Sequence, residues 1–474
     1  MSTLGGVVDT AEIKLSSLER TLRIDSEFFQ KTHLTCQSRL IKLKAEPLNK
    51  VGVVSDGNHF SISEYFQDDG VPYYRGQDIT GHFFVEQSSP AFINENVFNL
   101  PHLIRSHLKK GDVLLSIVGT IGESSLVTTD RKATCSCKLA ILRPRSIPAE
   151  YLATFLKCSY GRSQIDRFTR GAVQMGLLLE DFDQILVARF SGRFESATSE
   201  IVNQARILIE KSRLAYQQAV MELLSALGLS DWQPVDPIGY LRKASEAMKA
   251  ERLDAEYFHP KYDSVITAMN QKLGKYKLIP IKEFSQPLKY GCSEELTYTA
   301  SGRPFLRIAD LENKRFEMGS TLHVSSEHVF RESELVKKGD VLVSRSGTLG
   351  VGVPITEEFE GASYGSYFIR VRSNNDIHPE YLSLFINSLG GQLQVEQKNT
   401  GGVQTNLTIP AIESICVPVG DYKWQMKFVN LVEPSLAARK QAKALLEKAK
   451  RAVEIAIEQN EKTALVFLAN GKHS

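Results

Sequence analysis

A chain of 474 residues, 42% hydrophobic and 24% charged, has the make-up of a soluble globular protein with length for several domains. Its net charge of only +2 argues against tight nucleic-acid binding by the chain alone, because phosphate neutralisation supplies much of that affinity, and is compatible with binding shared among subunits. Six cysteines without CxxC pairs exclude the usual zinc spacings, no apolar run approaches the ~18 residues of a membrane span, and the opening MSTLGGVVDTAEIK lacks a signal-peptide pattern, so a cytoplasmic protein with free thiols is expected.

From Lys50 to Arg145 the pattern predicts short strands broken by turns: Val51 to Val54, Pro72 to Tyr74, Val113 to Ser116 and Leu139 to Leu142. Helical spacing returns from Ala149 to Arg167, followed by a Gly171-Ala172-Val173-Gln174 loop and a short strand from Gln184 to Val187. From about Arg193 to Leu227 there is no proline. Val202, Ile209, Tyr216 and Leu223 recur every seven residues, and Ala205, Ser212, Ala219 and Ala226 fall three after each. That is a heptad seam of large and small residues, ended by Gly228, Pro234 and Pro237. The order then repeats: strands and turns from Ile279 to Val371, a helix from Pro379, a Gly401-Gly402-Val403-Gln404 loop and a strand from Ile415 to Val417. A second long helix runs from roughly Lys423 to Glu458, with Val432, Arg439, Leu446 and Val453 against Ser435, Ala442, Ala449 and Ala456.

The repetition extends to individual residues. Lys109 to Gly122, KKGDVLLSIVGTIG, returns as Lys337 to Gly350, KKGDVLVSRSGTLG, with ten of fourteen positions identical. Arg23-Ile24-Asp25-Ser26-Glu27-Phe28-Phe29 matches Arg252-Leu253-Asp254-Ala255-Glu256-Tyr257-Phe258. Pro72-Tyr73-Tyr74-Arg75 with Asp78 matches Pro304-Phe305-Leu306-Arg307 with Asp310, and Glu150-Tyr151-Leu152 matches Glu380-Tyr381-Leu382. Gly365 and Tyr367 stand opposite Cys135 and Cys137. A period of about 230 residues is far above that of a solenoid and means tandem duplication of a module. The two long helices are expected to supply each other's partner as an antiparallel coiled coil roughly 50 Å long, with one module at each end.

No catalytic signature survives inspection: there is no phosphate-binding G-x-x-x-x-G-K-[ST], no G-x-S-x-G elbow, no H-E-x-x-H and no [ND]-P-P-aromatic methyltransferase signature. The chemistry present is that of binding. Arg75 and Arg307 recur after paired bulky residues, Ser116, Thr120, Ser344 and Thr348 surround the Gly-Thr-x-Gly turns, and Arg170, Gln174 and Gln404 border the glycine loops. Arg, Gln and Asn read base edges, while Ser, Thr and backbone amides commonly hold phosphates. Arg75 and Arg307, each three residues before an Asp, read first as structural salt bridges and second as DNA contacts. Positions shared by both copies should build the scaffold, and positions that differ in the same loops should read the target. Ile117-Val118 faces Arg345-Ser346, and Met175-Gly176 faces Thr405-Asn406, so the second module carries more base-reading side chains.

Two duplicated modules, each with G-D-V-L-x-S-x-x-G-T-x-G, joined by two long helices, resemble the specificity subunit of type I restriction–modification systems over essentially the whole chain. The resemblance implies an α+β chain divided into target-recognition domains at 1–190 and 236–420 and helical spacers at 191–235 and 421–474. It implies a non-catalytic subunit reading a bipartite, asymmetric site on double-stranded DNA. The paired helices would fix the gap and dock two modification subunits, which bring the S-adenosylmethionine chemistry, and optionally translocating nuclease subunits. Val202, Ile209, Tyr216, Leu446 and Val453 are the partner-binding candidates, and no metal or cofactor is expected in this chain. The alternatives are a DNA-binding adaptor of another phage-defence system and a protein scaffold with two peptide-binding modules.

Overall fold

The computed structural model describes residues 10–14, 23–171, 175–312, 314–316, 321–374, 376–399 and 406–470. It is an α+β structure of two units, Met1–Glu210 with Ala438–Ser474, and Lys211–Ala437.

The first unit contains strands β1 (Gly52–Asp56), β2 (Val71–Tyr74), β3 (Val113–Ser116), β4 (Ser124–Leu126), β5 (Thr134–Cys135) and β6 (Leu139–Pro144). Helices α1 (Ala149–Lys157) and α2 (Ser159–Phe168) follow, and α3 (Gly192–Ala226) leaves the unit part-way along its length. An antiparallel sheet in the order β1-β6-β3-β4 is the centre. A second small sheet pairs β2 in parallel with β5. The unbroken apolar run of β3 is explained by burial on both faces. Val113 and Leu115 join the core that includes Leu152, Phe155 and Phe168, while Leu114 joins Tyr74, Cys135 and Ile141 on the other side.

The second unit repeats the design with β7 (Lys289–Tyr290), β8 (Arg303–Leu306), β9 (Val341–Ser344), β10 (Gly352–Pro354), β11 (Ser363–Tyr364) and β12 (Phe368–Val371). Helices α4 (Pro379–Ile386) and α5 (Leu389–Lys398) follow, and α6 (Tyr422–Glu458) begins here but from Ala438 belongs to the first unit, as does α7 (Glu461–Ala469). The sheet order β7-β12-β9-β10 matches that of the first unit. Val341 and Val343 face one core and Leu342 the other. The strand registers correct one sequence alignment: Tyr74 pairs with Cys135 where Leu306 pairs with Tyr364. Cys135 therefore corresponds to Tyr364 and Cys137 to Ser366, one residue earlier than the sequence comparison had placed them.

Several repeated residues turn out to be fasteners. Asp112 and Asp340 accept the amides of Lys109 and Lys337 at 2.9 and 2.8 Å, closing the turn in which Gly111 and Gly339 take φ of 90° and 92°. Asp340 also receives a forked bond from Arg372 at 2.6 and 2.7 Å. Tyr151 and Tyr381, fully buried, donate their hydroxyls to the carbonyls of Ala188 and Pro418 at 2.8 and 2.7 Å.

The long helices have 35 and 37 residues, about 50 Å each at 1.5 Å per residue. Each is shared by the two units. In the first, Phe194, Ile201 and Val202 pack in one core with Ala449, Ala452, Val453 and Ala456. In the second, Ala219, Leu223 and Leu227 pack with Phe428, Val429 and Val432. Ser212 meets Ser435 hydroxyl to hydroxyl at 2.9 Å and Glu222 meets Lys427 at 3.4 Å, so the helices pair antiparallel. The helix continues through Pro434, one residue before that hydroxyl pair. Of the partner-binding candidates, Val202 and Val453 are shut inside the chain, whereas Ile209, Tyr216 and Leu446 keep part of their surface. Val202 and Val453 are fully buried, and Ile209, Tyr216 and Leu446 pack against the same cores. Each unit thus takes part of each long helix.

Tyr151→Phe leaves the buried Ala188 carbonyl without its donor and is expected to cost about 1–3 kcal/mol. A fall in the thermal unfolding midpoint of roughly 2–12 °C checks it.

Candidate nucleic-acid interface

At the end of β3 the Ser116 hydroxyl donates to the Thr120 carbonyl and accepts the Glu123 amide at 2.9 Å. The Gly122 amide returns to the Ser116 carbonyl at 2.9 Å. Gly119 and Gly122, both at φ 86°, make so tight a reversal possible. At the end of β9 the arrangement is the same: Ser344 donates to the Thr348 carbonyl and accepts the Val351 amide at 2.8 Å. Gly350 must also be glycine for packing, since a Cβ there would lie 2.5 Å from the Val395 side chain on α5. Ser116 and Ser344 are fully buried, so they shape the turn and offer no surface to a ligand. Thr120 and Thr348 stand exposed at its tip.

The residues that flank the second glycine element lie beside the first turn. Arg170 and Gly176 exchange backbone bonds at 2.9 and 2.8 Å, closing the root of the loop, and Leu177 donates to the Ile117 carbonyl at 2.9 Å. In the second unit Leu407 donates to the Arg345 carbonyl at 2.9 Å and the Asn406 amide to Asn399 Oδ1 at 3.1 Å. The positions that differ between the copies are cross-strand neighbours: Val118 is bridged to Gly176, and Ser346 to Asn406. Gln174, Gln404 and Thr405 lie outside the described residues.

The charged candidates divide. Arg75 forks onto Asp78 at 2.9 and 2.9 Å, and Arg307 onto Asp310 at 3.1 and 2.6 Å, while each Asp also accepts its arginine's own amide. The carboxylates are buried and 34% of each arginine side chain stays exposed. The primary role is thus a corner brace, with the other edge of the guanidinium outward. Arg170 is held between Glu180 at 3.0 Å and Asp181 at 3.1 Å. Arg345 donates through Nε to the Leu407 carbonyl at 3.1 Å and lies over the Tyr290 ring at 4.8 Å. Ser346 is buried and Asn406 half-buried.

The sequence comparison missed three neighbours. Ile117 donates to the Lys138 carbonyl and Arg345 to that of Tyr367, both at 2.9 Å, which puts exposed Lys138 and Tyr367 at equivalent places beside the turns. Tyr290, partly exposed, completes the second group. The one-residue slip at Cys135 hid the first pair. With the correct register, a Lys facing a Tyr at one repeat position would have drawn notice.

Beside the first unit's turn lies a cluster of charged groups with a histidine. Glu123, next to Gly122, accepts from the Gly81 amide at 3.2 Å and lies 3.9 Å from Lys157 and 3.8 Å from Arg162. His82 follows Gly81. Burial, reinforced by the cations of Arg439 and Lys157 and opposed by Glu123 and Asp78, pushes its imidazolium down to about 4, so it is neutral at physiological pH.

No protein-family model and no curated protein matches the chain. Solved chains of type I restriction–modification systems are similar to it. The S subunit from M. genitalium is aligned over 89% of this chain and 95% of its own, at 14% identity and a TM-score of 0.34. The HsdS subunit from Thermoanaerobacter tengcongensis is aligned over 90% and 95%, at 14% identity and 0.29. A chain from a type I complex described for its assembly and conformational transition is aligned over 90% and 96%, at 15% identity and 0.29.

Because His82 is more basic unfolded than folded, the unfolded chain binds the extra proton between about pH 6.5 and 4. Stability falls as pH drops through that window, by up to about 1.4 kcal/mol per pH unit for this one group. Groups common to both proteins cancel in a comparison with His82→Gln. The difference between their unfolding midpoints is expected to shift steadily against the wild type from pH 7 to pH 4.5, as read by thermal denaturation.

Proposed function

We propose that this chain is the specificity subunit of a type I restriction–modification complex, reading a split site on double-stranded DNA with one half assigned to each unit. The observation that carries this reading is the pairing of two glycine elements in both units. The serine brace of the turn and the bond from Leu177 or Leu407 to it are the same, while the residues facing each other differ: Val118 and Gly176 in one, Ser346 and Asn406 in the other. A shared frame with divergent tips suits a protein that does one task twice on two targets. Exposed Thr120, Lys138 and Met175 of the first unit, and Thr348, Tyr367 and the Arg345–Tyr290 stack of the second, supply the hydrogen-bonding, cationic and apolar groups that meet bases and phosphates.

Methyl transfer, on this reading, belongs to partner subunits that bind S-adenosylmethionine, and this chain directs them to their sequence in the cytoplasm. With the heptad seam buried, docking falls to the outer surfaces of the helices. Leu214 and Met221, one heptad apart on α3 in the second unit, are 52% and 61% exposed and form an apolar row of the kind a partner covers. Translocating nuclease subunits are the optional further partners of the same helices.

Selection of random-sequence duplexes by the chain assembled with a methyltransferase subunit is expected to recover two fixed short blocks separated by a gap of fixed length. The chain alone is expected to bind weakly and to transfer no labelled methyl group to DNA. Recovery of a single uninterrupted block, or methylation by the homogeneous isolated chain, counts against the reading.

Inserting one heptad into each helix, after Ser212 and before Ser435, keeps both seams in phase. It lengthens the pair by about 10 Å, or about three base pairs at 3.4 Å each. Those base pairs also rotate the far half-site by roughly a third of a turn. The selected gap is expected to grow by up to three base pairs, or binding to collapse. Recovery of the original gap at full affinity would show that the helices do not set it.

A further inference from the structure

The Arg-x-Asp-x-Glu-aromatic-Phe segment that opens each repeat has so far no part in the interface, yet both copies reach it. In the first unit Arg23 forks onto Asp25, through Nε and Nη2, with both bonds at 2.8 Å. Asp25 also takes the Phe28 amide at 3.1 Å, so the carboxylate is fixed from two sides. The remaining nitrogen, Nη1, points at the carbonyls of Arg167, Phe168 and Thr169, at 3.2, 3.4 and 3.5 Å. These stand at the C-terminal end of α2, where no further helical amide exists to satisfy a carbonyl and where the aligned peptide dipoles favour a cation. Rings pack the joint. The Arg23 guanidinium lies 4.6 Å from the Phe28 ring, Phe28 meets Phe168 edge-on at 5.5 Å, and Arg167 Nε donates to the Phe28 carbonyl at 2.9 Å.

The second unit does the same with different side chains. Arg252 forks onto Asp254 at 2.7 and 2.5 Å and lies 4.5 Å from the Tyr257 ring. Its Nη1 donates at 3.1 Å to the carbonyl of Asn399, the residue that ends α5. Gln397 donates to the Tyr257 carbonyl at 3.2 Å.

The chain just beyond each gripped helix end gives the contact its meaning. After Thr169 comes Arg170, whose backbone exchange with Gly176 closes the first glycine loop. At the other grip, the Asn399 side chain takes the Asn406 amide and closes the second. Each arginine therefore grips the root from which its unit's glycine loop leaves, and a rigid bidentate pair sets the direction of the grip. We infer that Arg23 and Arg252 are positioning residues for target reading: each clamps the helix end that leads to the residue facing the Gly-Thr-x-Gly turn, Gly176 in the first unit and Asn406 in the second, and so sets how that pair of residues meets a base edge. The inference rests on the specificity-subunit reading and adds to it the residues that aim the loops. A lysine in the same place keeps the charge but loses the fork, and so keeps the dipole contact while releasing the aim.

The test is genetic and uses the full chain in its own cell. The gene is removed from its host and returned as wild type, Arg252→Lys, Asp254→Asn or Arg23→Lys, and methylated bases are mapped across the genome. The quantity read is the methylation of sites mismatched in one half relative to fully matched sites, compared between strains that hold equal amounts of the chain. Arg252→Lys and Asp254→Asn are expected to raise that ratio about tenfold, the discrimination one base contact supplies, for one half-site only. Arg23→Lys is expected to do so for the other half. An unchanged ratio, or methylation lost evenly over both halves, would mark the pair as an ordinary structural staple and overturn the inference. Failure of the wild-type gene to restore methylation at any split motif would instead sink the specificity-subunit reading, and the clamp's role in target reading with it.

Discussion

The structure depends on a strand that cannot shift. β3 and β9 are covered on both faces, so a slip of one residue would exchange every side chain between two different cores. At the end of each such strand a buried serine hydroxyl ties the following turn to its own backbone. A buried hydroxyl is tolerated because it is fully bonded, and the reversal it enforces places the Gly-Thr-x-Gly tip at a fixed height above the sheet. The glycine loop is then hung on the residue after that serine. The frame for reading is thus set by packing, and the exposed tips are free to vary without loss of fold.

Much of this frame was legible in the sequence because double burial constrains residue type severely, so duplicated strands stay recognisable. The Gly-Asp turn, the strand, the glycine reversal and the long helices lie where the patterns put them. The first reading of Arg75 and Arg307, as partners of an Asp three residues on, is the bond the structure contains. Less legible were roles that hinge on direction. A serine at a strand end looks like a surface hydroxyl, and only the backbone path shows that Ser116 and Ser344 turn inward. The heptad seams, by contrast, read as each other's partners, and the two helices do cover one another within the chain. A two-residue strand carries too little pattern to fix an alignment, so Cys135 was matched one position late and Lys138 and Tyr367 passed unnoticed. His82 is single and unrepeated, and only its surroundings make it distinctive.

The long helices show how small residues work in such a seam. Ala219, Ala449, Ala452 and Ala456 are fully or almost fully buried, and their missing bulk lets the neighbouring Phe428, Val429 and Val453 fill the space between backbones. Near the middle the seam changes character, with the Ser212–Ser435 hydroxyl pair beside Pro434. That stretch trades apolar contact for a hydrogen bond that is satisfied in one register, which disfavours sliding by a turn.

The division of the helices also decides the order in which the protein can be finished on the ribosome. The second unit is one continuous stretch, Lys211–Ala437, whereas the first needs Ala438 onward to cover Phe194, Ile201 and Val202. At about 5–20 residues per second, translation of the intervening unit leaves the first one open for on the order of 10–50 s. Its apolar face is uncovered throughout that interval, a natural target for chaperones. The part of the protein that is made first is therefore the part that closes last.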